Sequence, residues 1–169
     1  MHKEVLALIF VTFATIVLST IMLEPSADLQ MVLEKPAEES VWRVGESVKI
    51  TGGFHNSAKE SVYLDGRLAY KIHLILKVAD DQGKEVDFPG AKEKIKLSPP
   101  VRDDFVKLAS GTSLLRKDIT SGNLIFDRPG QYTICLSGSQ GASESYAKSF
   151  GIRLGSIGKL TKIKIRVVP

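Results

Sequence analysis

The chain has 169 residues, 43% hydrophobic and 25% charged, which is the composition of an ordinary globular protein with one domain-sized core. Its single cysteine excludes a disulfide within the chain. The formal net charge of +4 is local, because residues 28–128 hold equal numbers of acidic and basic side chains and the whole excess lies in residues 129–169. Such an asymmetry is typical either of a protein with an anionic partner or of a solvated basic surface.

The amino-terminal segment predicts export. Between Glu4 and Glu24 lie nineteen residues, VLALIFVTFATIVLSTIML, without a charge, a proline or a glycine. As a helix over residues 5–23 they would reach about 28 Å, roughly the thickness of the hydrocarbon core of a bilayer. A stretch so uniformly apolar has no polar face for water, which argues against a buried core helix. We therefore assign residues 1–27 to a signal peptide or a signal anchor.

A retained anchor and a cleaved secretory signal are both compatible with this segment. The apolar region of a signal peptide is usually about 7 to 15 residues long and ends in small residues, and Val17-Leu18-Ser19 provides only a weak site of that kind. Lys3 precedes the segment and acidic residues follow it, so the positive-inside tendency places the rest of the chain outside the cytoplasmic membrane. No cysteine follows the segment directly, which excludes lipid attachment at a new amino-terminal cysteine.

From residue 28 onward the hydrophobic pattern has a period of two. In RLAYKIHLILKV, residues 67–78, every even-numbered residue is apolar, and the segments ESVKITGGF, residues 46–54, and TKIKIRV, residues 161–167, alternate in the same way. This period is typical of half-buried β-strands. Turn signals such as Asp65-Gly66 and Pro129-Gly130 separate the strands.

Short alternating strands between turns predict an all-β fold. We expect an immunoglobulin-like or fibronectin-III-like antiparallel sandwich over residues 28–169, preceded by one hydrophobic N-terminal helix. No other segment predicts a helix, and Trp42 is expected near a sheet edge. The predicted core consists of Val48, Ile50, Phe54, Leu68, Tyr70, Ile72, Leu74, Leu76, Tyr132, Ile134, Ile163, Ile165 and Val167.

Cys135 lies in the segment FDRPGQYTICLSG, residues 126–138. In immunoglobulin domains a tyrosine two residues before the cysteine shares its inward face, and the tyrosine hydroxyl closes a corner onto the backbone. Here Tyr132 is three residues before Cys135, so alternation puts Ile134 in the core and Cys135 on the opposite face. A nucleophilic cysteine needs a nearby base and a lowered thiol pKa, and only His55 and His73 are available. We therefore interpret Cys135 as a strand residue, with an intermolecular disulfide as the alternative.

The sequence contains none of the common catalytic or metal-binding motifs. It has no H-E-x-x-H, C-x-x-C or G-x-S-x-G, no glycine-rich phosphate loop and no pair of histidines at ligand spacing. Asp80-Asp81 and Asp103-Asp104 lack the ordered spacing of a calcium loop, so we interpret the first pair as a hairpin turn and the second as a solvated loop. We assign no catalytic, cofactor or metal residue.

The order of several segments resembles a known family. These segments are VGESVKITGGFHNS, VADDQGKEVDFPG, PPVRDDFVKLASGTSL, DIT and PGQYTI. Together they resemble the immunoglobulin-like sandwich that precedes the catalytic domain in deuterolysin-type and peptidyl-lysine metalloendopeptidases, and more loosely the bacterial intracellular proteinase-inhibitor family. The resemblance covers residues 29–136 and implies a stand-alone exported sandwich that binds, chaperones or inhibits a partner. The zinc-binding H-E-x-x-H module of those peptidases is missing, so their activity is not carried over.

The predicted function is that of a non-catalytic binding or accessory module of a prokaryotic cell envelope, either anchored to the cytoplasmic membrane or secreted. Its partner would be another envelope protein or an anionic envelope surface, and no nucleic acid is expected. If strands 67–78, 131–137 and 160–168 share one sheet, their outward basic residues lie on one face. That face either protects an edge strand from pairing or contacts an anion. Its predicted members are Lys71, His73, Lys77, Lys162, Lys164 and Arg166. The alternative function is a proteinase inhibitor or folding helper of an exported peptidase, acting through a loop such as residues 87–104.

We expect the amino-terminal segment to be retained as a single-pass anchor, because its nineteen uncharged residues suffice to span a bilayer and its cleavage site is poor. Intact-mass measurement of the protein purified from membranes will test this. A mature chain that begins near Thr20 would show cleavage instead.

Overall fold

Strands are the main regular secondary structure in the chain that the structure describes. The computed structural model describes residues 27–34, 41–88 and 95–169, and these ranges contain nine strands, one α-helix and a short 3-10 turn at Arg102–Asp104. The helix, α1, is Gly141–Ser149. The strands are β1 (Leu29–Leu33), β2 (Trp42–Arg43), β3 (Gly52–Asn56), β4 (Val62–Asp65), β5 (Leu74–Asp80), β6 (Phe105–Leu108), β7 (Ser113–Arg116), β8 (Gly130–Gly138) and β9 (Thr161–Val168). The described part of the chain is therefore all-β with one helix.

The predicted membrane segment, residues 5–23, lies outside the described residues. Across residues 27–34, 41–88 and 95–169, no helix has the length and hydrophobicity needed to cross a bilayer.

A four-stranded sheet is built around β8, in the order β2-β9-β8-β5. β8 pairs antiparallel with β5 on one side and with β9 on the other, and β2 adds a parallel edge of two residues at the end of β9. The prediction that the segments around 67–78, 131–137 and 160–168 share one sheet is confirmed. Trp42 lies in the edge strand β2 and packs half-buried against the core, as expected for a residue near a sheet edge.

A three-stranded sheet, β1-β3-β7, packs over the inward face of the four-stranded sheet, and β4 and β6 form a separate two-stranded sheet. The two larger sheets approach closely. A Cβ atom added at Gly138 in β8 would lie 2.6 Å from Met31 Sδ in β1 and 2.7 Å from the ring of Phe54 in β3. A glycine at this position therefore lets side chains of one sheet contact the backbone of the other.

The core between the sheets contains the residues that the alternating pattern predicts. Of the predicted core residues, only Ile72 and Ile163 are half-buried, and all the others are buried. The sequence pattern missed the core contribution of β1 and of the chain between β7 and β8. The residues concerned include Leu29, Met31, Leu33, Ile119, Leu124 and Phe126.

The strand predicted over residues 67–78 begins only at Leu74, and the prediction is wrong for its first half. Residues 68–73 form a tight turn, in which Leu68 and Lys71 have φ angles of 44° and 62°. His73 N–H donates to Ala69 O within this turn at 2.8 Å. The alternating pattern persists through the turn because Leu68 and Tyr70 are both buried, although no strand holds them there.

The prediction that no helix follows the amino-terminal segment is also wrong. Helix α1 buries only Ser143 and Ala147, which are four residues apart and therefore lie on one face. Such small side chains do not produce the apolar stripe by which an amphipathic helix is recognised. The helix follows β8 directly and lies beside the turn at residues 68–73, where Ser143 contacts His73.

Candidate functional site

The outward side of the four-stranded sheet carries basic side chains in cross-strand rows. In such rows the Cβ atoms of directly opposite residues are about 4.5 to 5.5 Å apart. The rows are Lys77, Cys135 and Lys162; then Ala79, Thr133 and Lys164; then Gln131 and Arg166. We call this surface the basic face, and its basic residues are Lys77, Lys162, Lys164 and Arg166.

The charge of the basic face has little compensation. All four of its basic side chains are exposed, and within the described chain none of them forms an ion pair or a side-chain hydrogen bond. Two exposed carboxylates lie at the margin: Glu85, whose backbone pairs with Ala79 beyond the edge of β5, and Asp81, which lines the same groove as Arg166. The face therefore presents an excess of positive charge to its surroundings.

Two residues predicted for this face lie elsewhere. Lys71 belongs to the tight turn that precedes β5, and His73 is only 1% exposed. The prediction of an outward His73 is wrong because the positive φ angle of Lys71 reverses the chain before the strand begins, so alternation does not extend back to residue 73. The structure brings Lys77, Lys162, Lys164 and Arg166 together and leaves Lys71 and His73 outside the group.

His73 instead belongs to a buried polar network beneath α1. Asp65 Oδ2 accepts a hydrogen bond from Ser143 Oγ at 2.5 Å and from Arg67 Nη2 at 2.6 Å, and it lies 3.3 Å from His73 Nε2. Asp65 N–H donates to Gln140 Oε1 at 3.1 Å. Asp65, His73 and Ser143 are at most 1% exposed. The network connects the end of β4, the following turn and the start of the helix.

The partners of Asp65 keep its carboxylate charged. Burial by itself would raise the pKa of Asp65, but hydrogen bonds from Arg67, His73 and Ser143 together hold it well below its usual range. The hydrogen bond to Asp65 in turn raises the pKa of Arg67, against the effect of burial. Asp65 and Arg67 thus form a charged pair inside the fold, and this charge is neutralised locally.

The combination of Ser143, His73 and Asp65 does not have the geometry of a catalytic triad. In a triad the histidine contacts serine through Nε2 and the carboxylate through Nδ1. Here His73 Nδ1 accepts a hydrogen bond from Ala69 N–H at 3.1 Å, and both Ser143 Oγ and Asp65 Oδ2 lie beside Nε2. Ser143 is fully buried and donates directly to the carboxylate, so its hydroxyl is not available for attack on a substrate.

Sequence reasoning missed this network because its partners are far apart along the chain. Ser143 lies 78 residues from Asp65, and Gln140 lies 75 residues away. The Asp65-Gly66 pair is a common turn signal, so the sequence gives no reason to expect that Asp65 is also a buried carboxylate. The only available signal was an aspartate and an arginine two residues apart, and that pattern is too common to identify a buried pair.

The two acidic pairs of the sequence have structural roles in turns. Asp80 caps the turn after β5, where its Oδ1 accepts hydrogen bonds from the backbone N–H groups of Gln82 and Lys84. This confirms the predicted hairpin turn. Asp104 caps the 3-10 turn through a 2.9 Å hydrogen bond from Val101 N–H and lies 3.8 Å from Arg67 Nε. No group of three potential metal ligands occurs in the part of the chain that the structure describes.

Two adjoining grooves, of about 570 and 390 Å³, flank residues 151–157. Their shared lining includes Asp28, Arg153 and Leu154. The Asp28 carboxylate already accepts hydrogen bonds from the backbone N–H and the hydroxyl of Ser156. The larger groove is lined by acidic side chains, Asp28 and Glu60, as well as by basic ones, Lys59, Arg102 and Arg153, so its charge is nearly balanced. The basic face is therefore the better-defined candidate site.

Comparison with known proteins does not assign the chain to a family. No protein-family model matches it, and no curated protein matches it. Among solved structures it is similar to a β-glucosidase from Erythrobacter marinus, with 12% sequence identity and a TM-score of 0.36 over 83% of this chain. The match spans only 16% of the length of that glucosidase chain. A likeness at this level carries no argument about fold or activity.

Replacing Asp65 by asparagine is expected to lower the free energy of unfolding at pH 7 by about 3 kcal/mol, because the amide loses the buried negative charge and places an NH2 group against the donors that surround the carboxylate, Arg67, His73 and Ser143. Since the folded pKa lies below the ordinary value of 3.8, the carboxylate stabilises the fold fully above that pH and progressively less as the pH falls below it. Asp65→Asn should therefore also weaken the dependence of stability on pH between pH 4 and pH 2. Urea denaturation across this range measures both effects.

Asp103→Asn provides the matched control, because Asp103 is exposed and its side chain forms no ion pair or hydrogen bond within the described chain. It should leave both the stability at pH 7 and its acid dependence close to wild type. If the two variants behave alike, the buried network does not stabilise the fold as described.

Cys135→Ser should leave folding and monomeric state unchanged, because Cys135 is a free, half-exposed residue on the outward side of β8. Its inward neighbour is the control: Ile134 is fully buried, and Ile134→Ala should cost about 2 to 5 kcal/mol. Thermal denaturation and size-exclusion chromatography compare the two variants. A wild-type disulfide dimer on non-reducing gels would support the intermolecular alternative.

Proposed function

We propose that this protein is a non-catalytic, exported binding or accessory module of the cell envelope. Residues 5–23 anchor it to the cytoplasmic membrane, the domain lies outside, and the basic face binds an anionic envelope surface. The basic face carries the proposal, because four exposed and unpaired basic side chains gather on one side of a sheet.

Two features support an immunoglobulin-like sandwich as the form of this module. The three-stranded and four-stranded sheets enclose a common core, as the two sheets of such a sandwich do. Tyr132, near the start of β8, donates its hydroxyl to Arg128 O at 2.9 Å. This is the arrangement of a tyrosine corner, in which the hydroxyl bonds to the backbone a few residues upstream.

Anion binding has one competing explanation, which is protection of a strand edge. β2 covers β9 only at Val167 and Val168, so the edge of β9 beside Lys162 and Lys164 has no partner strand among the described residues. Lysines on such an edge discourage pairing with another sheet. Lys77, however, lies on β5 at the opposite side of β8 and faces outward on the same surface. β5 is the other edge strand of the sheet, but residues 84–86 cover its edge beside Val78 and Ala79. Edge protection therefore gives less reason for Lys77 than for Lys162 and Lys164, whereas a binding surface accounts for all four basic residues.

An inhibitor or folding helper that acts through residues 87–104 is the alternative proposal, and part of that loop, residues 89–94, lies outside the described chain. The described residues 95–104 are held by two contacts. Arg67 Nη1 donates to Ser98 O at 2.8 Å, and the Asp104 carboxylate accepts a hydrogen bond from Val101 N–H. Val101 itself is 60% exposed. A fixed loop with an exposed apolar side chain is the feature that supports this alternative.

The binding proposal predicts that combined replacement of Lys162, Lys164 and Arg166 by glutamine weakens binding of the soluble domain, beginning at Ala27, to vesicles containing phosphatidylglycerol. Each basic side chain near an anionic membrane contributes about 1 kcal/mol, so the loss should be roughly a hundredfold. Co-sedimentation with vesicles measures it, and wild-type binding should decrease as salt is added.

The control variant replaces three exposed lysines located elsewhere, Lys107, Lys117 and Lys148, and therefore removes the same net charge. It should bind several-fold more tightly than the basic-face variant. Equal binding by the two variants, or binding insensitive to salt, would leave only the protective role for the basic face.

A further inference from the structure

We propose that the end of the domain that carries Leu160 rests on an anionic bilayer, with the Leu160 side chain entering the headgroup region beside Lys162. This inference rests on the proposed membrane anchoring and deepens it, because it specifies which end of the basic face meets the lipid in the anchored chain. Lys162 lies at the bilayer, whereas Arg166, four residues along β9, lies about 13 Å farther along the strand and is left for other envelope anions.

The described chain enters the domain at Ala27, at one end of the fold. Ser57 Oγ donates to Ala27 O at 3.0 Å, and Leu29 exchanges backbone hydrogen bonds with Ser156 O and Gly158 N at 2.9 and 2.7 Å. These contacts fix the first described residues beside residues 156–158. Whatever precedes Ala27 must therefore join the domain at this point.

The link between the apolar segment and the domain is short. Leu23 is the last residue of the apolar segment, and only residues 24–26 separate it from Ala27. Even when fully extended, the chain from Leu23 to Ala27 spans at most about 14 Å, which is comparable to the thickness of the headgroup layer and its immediate surroundings. A segment that spans the bilayer as far as Leu23 thus holds Ala27 and its neighbours at the membrane surface.

An exposed leucine and a lysine lie close to this entry point. Leu160 follows Gly158 by two residues, so it lies within about 7 Å along the chain, and its side chain is 57% exposed. Lys162 follows on β9 and is exposed. The Asp28 carboxylate at the same end is occupied by Ser156, so it does not pair with these basic groups. An apolar side chain next to a lysine suits the boundary between acyl chains and anionic headgroups.

The chain offers a matched reference position at the opposite end of the sheet. Val41 is 56% exposed and precedes Trp42, which pairs with Val167. Because a strand rises about 3.3 Å per residue, this position lies roughly 20 Å from Leu160. The two side chains therefore have almost the same exposure but different proposed distances from the bilayer.

The test uses the full chain in a Cys135→Ser background, reconstituted into vesicles of phosphatidylglycerol and phosphatidylcholine. Leu160→Cys and Val41→Cys, each labelled with a nitroxide, are compared by power-saturation electron paramagnetic resonance. We expect the ratio of oxygen to nickel-chelate accessibility to be several-fold higher at position 160 than at position 41. In vesicles of phosphatidylcholine alone, the difference should shrink, because Lys162 loses its anionic partner.

The remaining outcomes contradict the proposal in distinguishable ways. If the chain stays in the membrane but both labels are equally accessible to the nickel chelate, the anchoring holds and the proposed orientation is wrong. Low accessibility at position 160 to both reagents, independent of lipid composition, would mean that the chain itself or a second copy of it covers this end, since only this protein and lipid are present. If the full chain does not remain with the vesicles, the anchoring and the orientation are both wrong.

Discussion

The buried carboxylate of Asp65 is the constraint on which much of this structure depends. A charged group inside a protein costs several kcal/mol unless its partners are in place, and removing one partner leaves that cost uncompensated. Here the partners come from two separate parts of the chain: Arg67 and His73 from the turn after β4, and Ser143 from α1. Arg67 also reaches Ser98 O, so the loop before the 3-10 turn is tied to the same charge. One ionised group thereby fixes the only described helix and two connections against the sheets.

The network also influences the basic face, because it adjoins the end of the sheet where β5 begins and β8 ends. Within the turn, His73 Nδ1 accepts the Ala69 N–H, and the His73 carbonyl oxygen accepts a hydrogen bond from Ser139 N–H at the end of β8. The next residue, Leu74, starts β5 opposite Gly138. Counting from that pair, Lys77 falls opposite Cys135, in the row that also contains Lys162. The backbone at His73 thus continues the ladder in the register that brings one lysine of β5 into line with the basic residues of β9.

The sequence predicted the parts of the fold in which a local pattern has a single structural cause. Along β8 and β9, alternation arises from a sheet with one buried face, so the inward positions of Tyr132, Ile134 and Ile165 and the outward position of Cys135 followed directly. Around residue 70 the same alternation arises from a turn, and the pattern does not distinguish the two causes. Helix α1 faces the fold with Ser143 and Ala147, too small to give a periodic hydrophobic signal. The Asp65 network joins residues that only the tertiary structure brings together.

The charges of this protein divide into two groups with different physical consequences. Asp65 and Arg67 are paired inside the fold, where they neutralise each other and contribute to its stability. The residues of the basic face have no such partners in the described chain, and Lys77 and Lys162 flank the same residue of β8. Like charges gathered on one face of a sheet repel each other, so their arrangement weakens the folded state slightly. Folding stability therefore gives no reason for the basic face, and its reason must lie in what the protein meets outside itself, whether a strand that it must not pair with or an anion that it binds.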